Sequence, residues 1–212
     1  MNLDEKIINA LKDLNYEEAT EIQKKAIPIA LKKRDILAAA QSGTGKTAAF
    51  LLPILTELLA NKQANKPILR ALILVPTREL ATQIAKAVED YAKYLDIEKL
   101  AVFGGVSAKE QERKITNGID ILVATSGRLM EHIKNKSVDL SSVTTVVIDE
   151  VDTLLDMGFL EDIESILPNV GPHRQIMMFS ATMNQNVKKL AKEFLTDPVV
   201  IEVASQRSTV KI

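Results

Sequence analysis

A glycine-rich stretch at residues 40–47, Ala-Gln-Ser-Gly-Thr-Gly-Lys-Thr, carries the clearest chemical signal in the chain. The apolar run at 35–39 before it predicts a short buried strand, and the apolar residues 48–52 after it can continue as a helix. A strand, a glycine-rich loop, Lys-Thr and a helix, in this order, are the context in which a loop binds phosphate. The stretch therefore predicts a nucleotide or phosphate site.

The residue types of this loop suit an anion. Gly43 and Gly45 let the backbone turn and come close to a phosphate because they have no Cβ, and the start of the helix adds its positive end. Lys46 supplies a full charge for the outer phosphates, and the Thr47 hydroxyl suits Mg²⁺. Ala40 departs from the strict pattern, which begins with glycine. The alternative is a glycine-rich turn that binds nothing.

Two adjacent carboxylates, Asp149 and Glu150, follow a β-branched strand predicted at 145–148. An acidic residue after a hydrophobic strand is the usual second half of a phosphate-loop nucleotide site. Asp149 would hold Mg²⁺, directly or through water, and Glu150 would orient and deprotonate the attacking water. The alternative is a solvated pair of charges at the start of a helix, where carboxylates favour the positive end of the helix dipole.

Two arginines, Arg78 and Arg128, each follow a predicted strand near the start of a predicted helix. Together with Thr77, Gly105 and Thr125 they suit the role of donors to a sugar–phosphate backbone. Taken singly, each arginine could instead form a surface ion pair.

Capping patterns place the first helices. Asn2 and Glu5 have the spacing of a capping box, and so do Thr20 and Gln23. On spacing alone, capping is the plainer interpretation of Gln23. Pro28 is predicted to end or kink the second helix, because proline lacks the N–H that a helix interior needs.

Strand and helix patterns then alternate along the chain. Strands are predicted at 71–75, 99–103, 119–124, 145–148, 175–179 and 199–203, and helices at 80–94, 107–115, 126–134 and 160–167. Continuous apolar runs such as 71–75 are typical of strands buried on both faces. The pattern predicts an α/β fold with one doubly wound, mostly parallel sheet and helices on both faces. We expect one domain at 1–204 and the start of a linker at the polar residues 205–212.

In such a sheet, ligands bind outside the carboxyl ends of the strands. The polar stretches of interest all follow a predicted strand directly: 40–47, 76–78, 104–105, 125–128, 149–152 and 180–182. One edge of the sheet should therefore collect them all, which is a stronger indication of a site than any single motif.

Composition excludes several classes of protein. The 212 residues carry a net charge of -1, so any contact with nucleic acid must be a local patch. The chain has no cysteine, which excludes disulfides and thiolate zinc sites, and His132 and His173 have no acid or nucleophile at a telling spacing. Both histidines are predicted to be structural or surface groups. No apolar run is long enough to span a membrane, and we expect a cytoplasmic, monomeric chain.

Seven motifs together resemble the N-terminal RecA-like domain of a DEAD-box RNA helicase. They are a glutamine motif at 16–23, a Walker A loop at 40–47, Pro-Thr-Arg-Glu-Leu-Ala at 76–81, Gly-Gly at 104–105, Thr-Ser-Gly-Arg at 125–128, a Walker B element at 149–152 and Ser-Ala-Thr at 180–182. They occur in family order over nearly the whole chain. Ala40 is the residue that this family normally has at the start of the loop.

The resemblance implies binding of ATP and Mg²⁺. Gln23 would read the adenine edge and Tyr16 would stack on the base, with Gln23 still free to act as a cap. Thr47 and Asp149 would hold Mg²⁺, and Lys46, Asp149 and Glu150 would be catalytic. The phosphates would lie on the loop residues Gln41, Ser42, Gly43, Thr44, Gly45, Lys46 and Thr47.

The resemblance also implies a grip on the backbone of single-stranded RNA with little sequence preference. The residues implied in this grip are Pro76, Thr77, Arg78, Gly104, Gly105, Thr125, Gly127 and Arg128. Asp152, Ser180 and Thr182 would couple the nucleotide state to strand separation.

Three departures from the family pattern stand out. Val151 replaces an alanine and should repack without loss of the carboxylates. Ser126 replaces a common proline and should loosen the turn that holds Arg128. The aromatic residue that the family has before the glutamine motif is missing, which should weaken adenine binding slightly.

The family's second RecA-like domain, which supplies arginine fingers and half of the RNA surface, has no counterpart here, so we expect a partner domain. Two alternatives remain. One is a phosphate-loop motor acting on protein or DNA, against which Gln23 and the 149–152 element argue. The other is a nucleotide-gated RNA-binding or scaffold module with little turnover.

Overall fold

The structure, a computed structural model, describes residues 3–61 and 67–203. Within them, one sheet of seven strands has the order β3-β4-β2-β5-β6-β1-β7, and every pair of neighbours is parallel. The strands are β1 (Ile36–Ala39), β2 (Ala71–Val75), β3 (Lys99–Val102), β4 (Ile121–Thr125), β5 (Thr145–Ile148), β6 (Gln175–Ser180) and β7 (Val199–Glu202). The predicted doubly wound sheet is confirmed.

Helices cover both faces of this sheet. They are α1 (Glu5–Asp13), α2 (Glu21–Leu31), α3 (Lys46–Ala60), α4 (Arg78–Tyr91), α5 (Ala108–Asn117), α6 (Ser126–Lys134), α7 (Val151–Asp156), α8 (Leu160–Ile166) and α9 (Gln185–Phe194), with a 3-10 turn at Leu167–Asn169. Among the described residues, no helix is both long enough and apolar enough to cross a membrane.

The core consists of two apolar layers, one on each side of the sheet. Successive residues of β2 alternate between them: Ile73 packs with α1 to α4, whereas Leu72 and Leu74 pack with the layer that contains residues of α6 to α9. Because both faces are covered, the central strands are buried along their whole length. This burial explains their continuous apolar sequences.

Three local expectations need correction or restriction. Helix α1 begins at Glu5 with Asp4 as its cap, which accepts a hydrogen bond from Lys6 N at 2.9 Å, whereas Asn2 lies outside the described residues. Helix α2 does not end at Pro28 but continues to Leu31, where it packs closely on α3. The linker predicted at 205–212 also lies outside the described residues and stays a prediction.

Candidate nucleotide and nucleic-acid site

The carboxyl ends of five strands lead into the predicted motifs. The glycine-rich loop follows β1, residues 76–78 follow β2, residues 125–128 follow β4, Asp149 follows β5, and β6 ends at Ser180. In the parallel sheet these ends point the same way. The edge that the sequence predicted therefore exists, with the loop after β3 beside it.

The phosphate loop has the backbone that its glycines allow. Gly43 has φ +80° and Gly45 has φ +94°, a region that side chains other than glycine rarely adopt. Helix α3 starts at Lys46 directly after Gly45, so its unpaired N–H groups face the loop. The Thr44 hydroxyl donates to the Gln41 carbonyl at 2.7 Å and closes the turn.

Gln23 ties the glutamine motif to this loop. Its Oε1 accepts from Thr20 N at 3.0 Å, the capping interaction that the spacing predicted, and its Nε2 donates to the Gly45 carbonyl at 3.1 Å. A Cβ on Gly45 would lie 2.5 Å from Gln23 Nε2 and 2.9 Å from Thr20 Oγ1. Gln23 is therefore both a helix cap and a support for the phosphate loop.

A buried ion pair forms the polar centre of the site. Lys46 Nζ lies 3.5 Å from Asp149 Oδ1, and both side chains are more than nine-tenths buried. Glu150 adopts φ 52° and ψ 50°, an uncommon backbone for a non-glycine residue, and its N–H donates to Asp149 Oδ1 at 2.9 Å. This turn follows the buried Asp149 directly, and both residues line one cavity.

The surroundings of Asp149 and Glu150 raise the pKa of both carboxylates. Burial raises the pKa of Asp149, and the Lys46 charge opposes that rise. Burial, followed by the charge of Asp149, raises the pKa of Glu150. A raised pKa brings a carboxylate closer to the value that suits a general base near neutral pH.

The donor set fits Mg²⁺ if the nucleotide itself supplies oxygens. Among residues 3–61 and 67–203, no cluster of three or more His, Cys, Asp or Glu side chains could hold a metal alone. Mg²⁺ is usually held by one or two carboxylates together with substrate phosphates and water. The Asp149 carboxylate and the Thr47 hydroxyl, which line the same cavity, match this pattern.

That cavity, of about 560 Å³, is bounded by the phosphate loop, Gln23, the two carboxylates and Tyr16. Of the predicted nucleotide-binding residues, Gln41 and Thr44 do not line it, whereas the other seven do. Tyr16 is half exposed, and its hydroxyl hydrogen-bonds the hydroxyl of the buried Tyr91 on α4 at 3.1 Å. Tyr91, which the sequence did not single out, therefore fixes the ring that would stack on a base.

Asp152 links the Walker B element to the end of β6. Its Oδ2 accepts from the N–H and the hydroxyl of Thr182, at 2.9 and 3.0 Å. Burial disfavours the charged form of Asp152, but hydrogen bonds, led by the one from the Thr182 side chain, outweigh it and lower its pKa. Ser180 is fully buried at the end of β6. The three residues predicted to couple the nucleotide state to strand separation therefore lie at two adjoining places. Asp152 is in the first turn of α7, and Ser180 and Thr182 are at the end of β6 and just after it.

The segments predicted to bind RNA adjoin one another. Pro76 is buried, and Thr77 caps α4 by accepting from Leu80 N at 3.2 Å. Arg78 is exposed, and its NH1 lies 3.6 Å from where a Cβ on Gly105 would stand. Thr125 and Gly127 stand at the start of α6, Gly127 on the surface. A Cβ on Gly104 would meet no atom of residues 3–61 and 67–203 within 4 Å.

Arg128 differs from Arg78 in its exposure. Its side chain is only 11% exposed, and NH1 donates to the Val106 carbonyl at 2.9 Å. It therefore holds the loop after β3 against the start of α6.

Ser126 offers a test of the departure from proline. It is the first residue of α6, its hydroxyl is buried without a partner among the described residues, and Thr125 before it is extended, as proline requires. Proline suits this first helical position. We therefore expect Ser126→Pro to stabilise the chain by about 1 kcal/mol, which is a rise of about 2–4 °C in Tm.

Calorimetry of the parent, Ser126→Pro and Ser126→Ala checks this, because alanine removes only the hydroxyl. A proline variant that melts below the alanine variant would contradict the backbone argument.

Comparison with known proteins decides the family. The family model for DEAD/DEAH box helicases matches residues 20–190. The chain belongs to the DEAD/DEAH box helicase family. The RNA helicase CrhR of Synechocystis sp. is 42% identical over 209 residues, which are 99% of this chain and 42% of that protein. The DEAD-box ATP-dependent RNA helicase CshA of Bacillus subtilis is 38% identical over the same shares.

The fold of this DEAD/DEAH box chain also matches a solved structure. The hypothetical ATP-dependent RNA helicase from Sulfolobus tokodaii superposes with a TM-score of 0.85 at 38% identity, over 96% of this chain and 57% of that one. The predicted family and fold are therefore confirmed. The chain spans less than half the length of CrhR and CshA.

The departure of this DEAD/DEAH box chain from the family pattern at Val151 is accommodated in the core. Val151 is fully buried in the same apolar layer as Leu154, so its extra methyl groups pack into the core.

Gln111, which sequence reasoning missed, is buried on α5 next to Arg128. Its burial, though not its contact with Arg128, could have been predicted, because Gln111 lies on the same helical face as Ala108 and Ile115.

Proposed function

We propose that this chain is the ATP-binding domain of a DEAD-box RNA helicase, which hydrolyses ATP to drive local unwinding of RNA. The observation that carries the proposal is the buried Lys46–Asp149 pair with Glu150 beside it, in a cavity that Gln23 also lines. A lysine for the phosphates and a carboxylate for Mg²⁺ serve phosphoryl transfer, in which positioning and charge stabilisation do most of the catalysis. The helicase names of the relatives support the same reaction.

Each residue of the site has a role in this reaction. Lys46 neutralises charge on the outer phosphates, and the N–H groups at the start of α3 hold their oxygens. Asp149 and Thr47 would hold Mg²⁺, which would supply positive charge next to the phosphates. Glu150 takes the proton of the attacking water, which its raised pKa favours. Gln23 and Tyr16 hold the adenine.

The RNA is proposed to bind across the loops after β2, β3 and β4. Arg78 is exposed there beside Gly105, and backbone groups of Gly105 and Thr125 would contribute further contacts to phosphates. Contacts to phosphate alone carry no sequence information. We therefore propose a largely sequence-independent grip on single-stranded or duplex RNA, and a cytoplasmic location remains a prediction.

We further propose that a second RecA-like domain completes the site. No arginine lines the cavity in the part of the chain that the structure describes. An arginine finger is typically worth about 10³–10⁵ in rate. The partner domain would supply that charge and the other half of the RNA cleft.

The test is RNA-stimulated ATP hydrolysis by this chain alone and by this chain with the second domain of its complete protein. We expect negligible stimulation for the chain alone and strong stimulation for the pair. Robust unwinding by the chain alone would contradict the proposed second domain. Nucleotide and RNA binding by the pair without hydrolysis would support the scaffold alternative instead.

A further inference from the structure

Gln111 is an unusual residue in its helix. It is 5% exposed and is the one buried residue of α5, in which Ala108 and Ile115 are half-buried and the other residues are polar and exposed. A buried amide is costly unless its donors and acceptors are paired. Its partners therefore indicate why the chain places a glutamine there.

Those partners fix the orientation of the amide. Nε2 donates to the Phe103 carbonyl at 3.1 Å, and a carbonyl can only accept. Oε1 therefore points the other way, where Arg128 NH1 donates to it at 3.0 Å and His132 Nε2 lies 3.2 Å away. One side chain thus joins the end of β3 to two residues of α6.

His132 contacts the amide oxygen of Gln111. Because Gln111 Oε1 accepts only, His132 donates to it through Nε2–H, and its Nδ1 lies 2.8 Å from the Ser137 hydroxyl. Burial and then the Arg128 charge lower the pKa of His132, whereas the acidic neighbours Glu131 and Glu112 oppose this. The lowered pKa favours the neutral form of His132, which donates to Gln111 through Nε2.

Arg128 is held in one orientation by this set. NH1 donates to Gln111 and to the Val106 carbonyl, and Nε lies 2.9 Å from a Glu131 carboxylate oxygen. A guanidinium has five N–H groups, of which these contacts use three. The two N–H groups of NH2 have no partner among the described residues and remain for a ligand.

We propose that Gln111, supported by His132, is a positioning residue for RNA: it locks Arg128 and the loop 103–106 into one unit that presents NH2 of Arg128 to a backbone phosphate. The inference rests on the proposed function, because it assumes that this edge binds RNA. Fixing a planar guanidinium in advance reduces the entropy lost on binding a phosphate. Gly105 and Arg78 adjoin the same unit.

A double-mutant cycle tests this coupling. Gln111→Met keeps an unbranched side chain of similar length but removes the amide, Arg128→Ala removes the guanidinium, and the third variant combines them. The binding of the chain to a fluorescent single-stranded oligouridylate is measured by anisotropy at several salt concentrations. Affinity for ADP and the melting temperature are measured on the same samples.

We expect each single variant to weaken RNA binding roughly tenfold. Each should also reduce the slope of log K against log salt by about 0.7, the loss of one phosphate contact on a single strand. The double variant should bind no more weakly than Arg128→Ala, because Gln111 acts through Arg128. ADP affinity should not change.

Controls separate positioning from loss of stability. Leu167→Ala truncates a fully buried residue outside this network and should lower Tm without changing the salt slope. If Gln111→Met does not fold, His132→Leu takes its place in the double-mutant cycle with Arg128→Ala, because it removes one donor to Gln111. His132→Leu should weaken RNA binding less than Gln111→Met does. This loss should also disappear in the variant that carries Arg128→Ala.

Two results would contradict the proposal in different ways. If Arg128→Ala weakens RNA binding and Gln111→Met or His132→Leu does not, or if their effects simply add, the positioning role is wrong. If neither Arg78→Ala nor Arg128→Ala changes RNA binding, the proposed RNA edge itself is wrong.

Discussion

Glu150→Gln is expected to reduce ATP hydrolysis by the complete helicase by about 10²–10⁴, the usual contribution of a general base. Glutamine keeps the size of the side chain but cannot take a proton from water. The Lys46–Asp149 pair stays in place, so binding of ATP with Mg²⁺ should remain within about threefold of the parent. Single-turnover hydrolysis and nucleotide titration measure the two effects separately.

Asp149→Asn is the matched control for this prediction, since it removes the neighbouring carboxylate instead. It should weaken Mg²⁺-dependent nucleotide binding as well as hydrolysis. Hydrolysis by Glu150→Gln at the parent rate would show that Glu150 is not the base.

Gly45→Ala is expected to disrupt the site through its structure. The added Cβ would stand 2.5 Å from Gln23 Nε2 at a φ of +94°, so the strain and the clash act together. We expect the free energy of unfolding without nucleotide to fall by about 2–4 kcal/mol, because a left-handed backbone and a lost buried hydrogen bond each cost about 1–2 kcal/mol. Chemical denaturation measures this.

Gly43→Ala separates the two causes. Gly43 has a similar φ of +80°, but a Cβ there would meet nothing within 4 Å in the described part of the chain. It should therefore lose only the backbone part of the stability, about 1–2 kcal/mol. If the two variants were equally stable, Gln23 would not support the loop as the structure indicates.

The sequence allowed prediction of the features that depend on local pattern. The run 71–75 indicated a strand buried on both faces, and its alternate residues do enter both apolar layers. The Thr20–Gln23 spacing predicted a capping interaction that is present. The collection of motifs at one edge followed from parallel strands alone, and the structure confirms it.

Features that depend on long-range packing were not predictable in the same way. Nothing local to β1 specifies that it lies between β6 and β7. Pro28 was expected to end or kink α2, but the helix, which packs on α3, continues to Leu31. Gln111 and Tyr91 owe their importance to partners 17 and 75 residues away, so their spacing in the sequence carried no signal of the contact.

The most direct test of the account is a calorimetric titration of this chain with ADP and with GDP, both with Mg²⁺. After its two internal hydrogen bonds, the Gln23 amide keeps one N–H and one lone pair. These match the N6 amino group and N7 of adenine, whereas guanine offers two acceptors at that edge. We predict at least about tenfold preference for ADP, a loss of about 1–3 kcal/mol in Gln23→Ala, and little change in Gln83→Ala, which lines the same cavity. Equal affinities for ADP and GDP would contradict the assignment of this cavity as an adenine-nucleotide site.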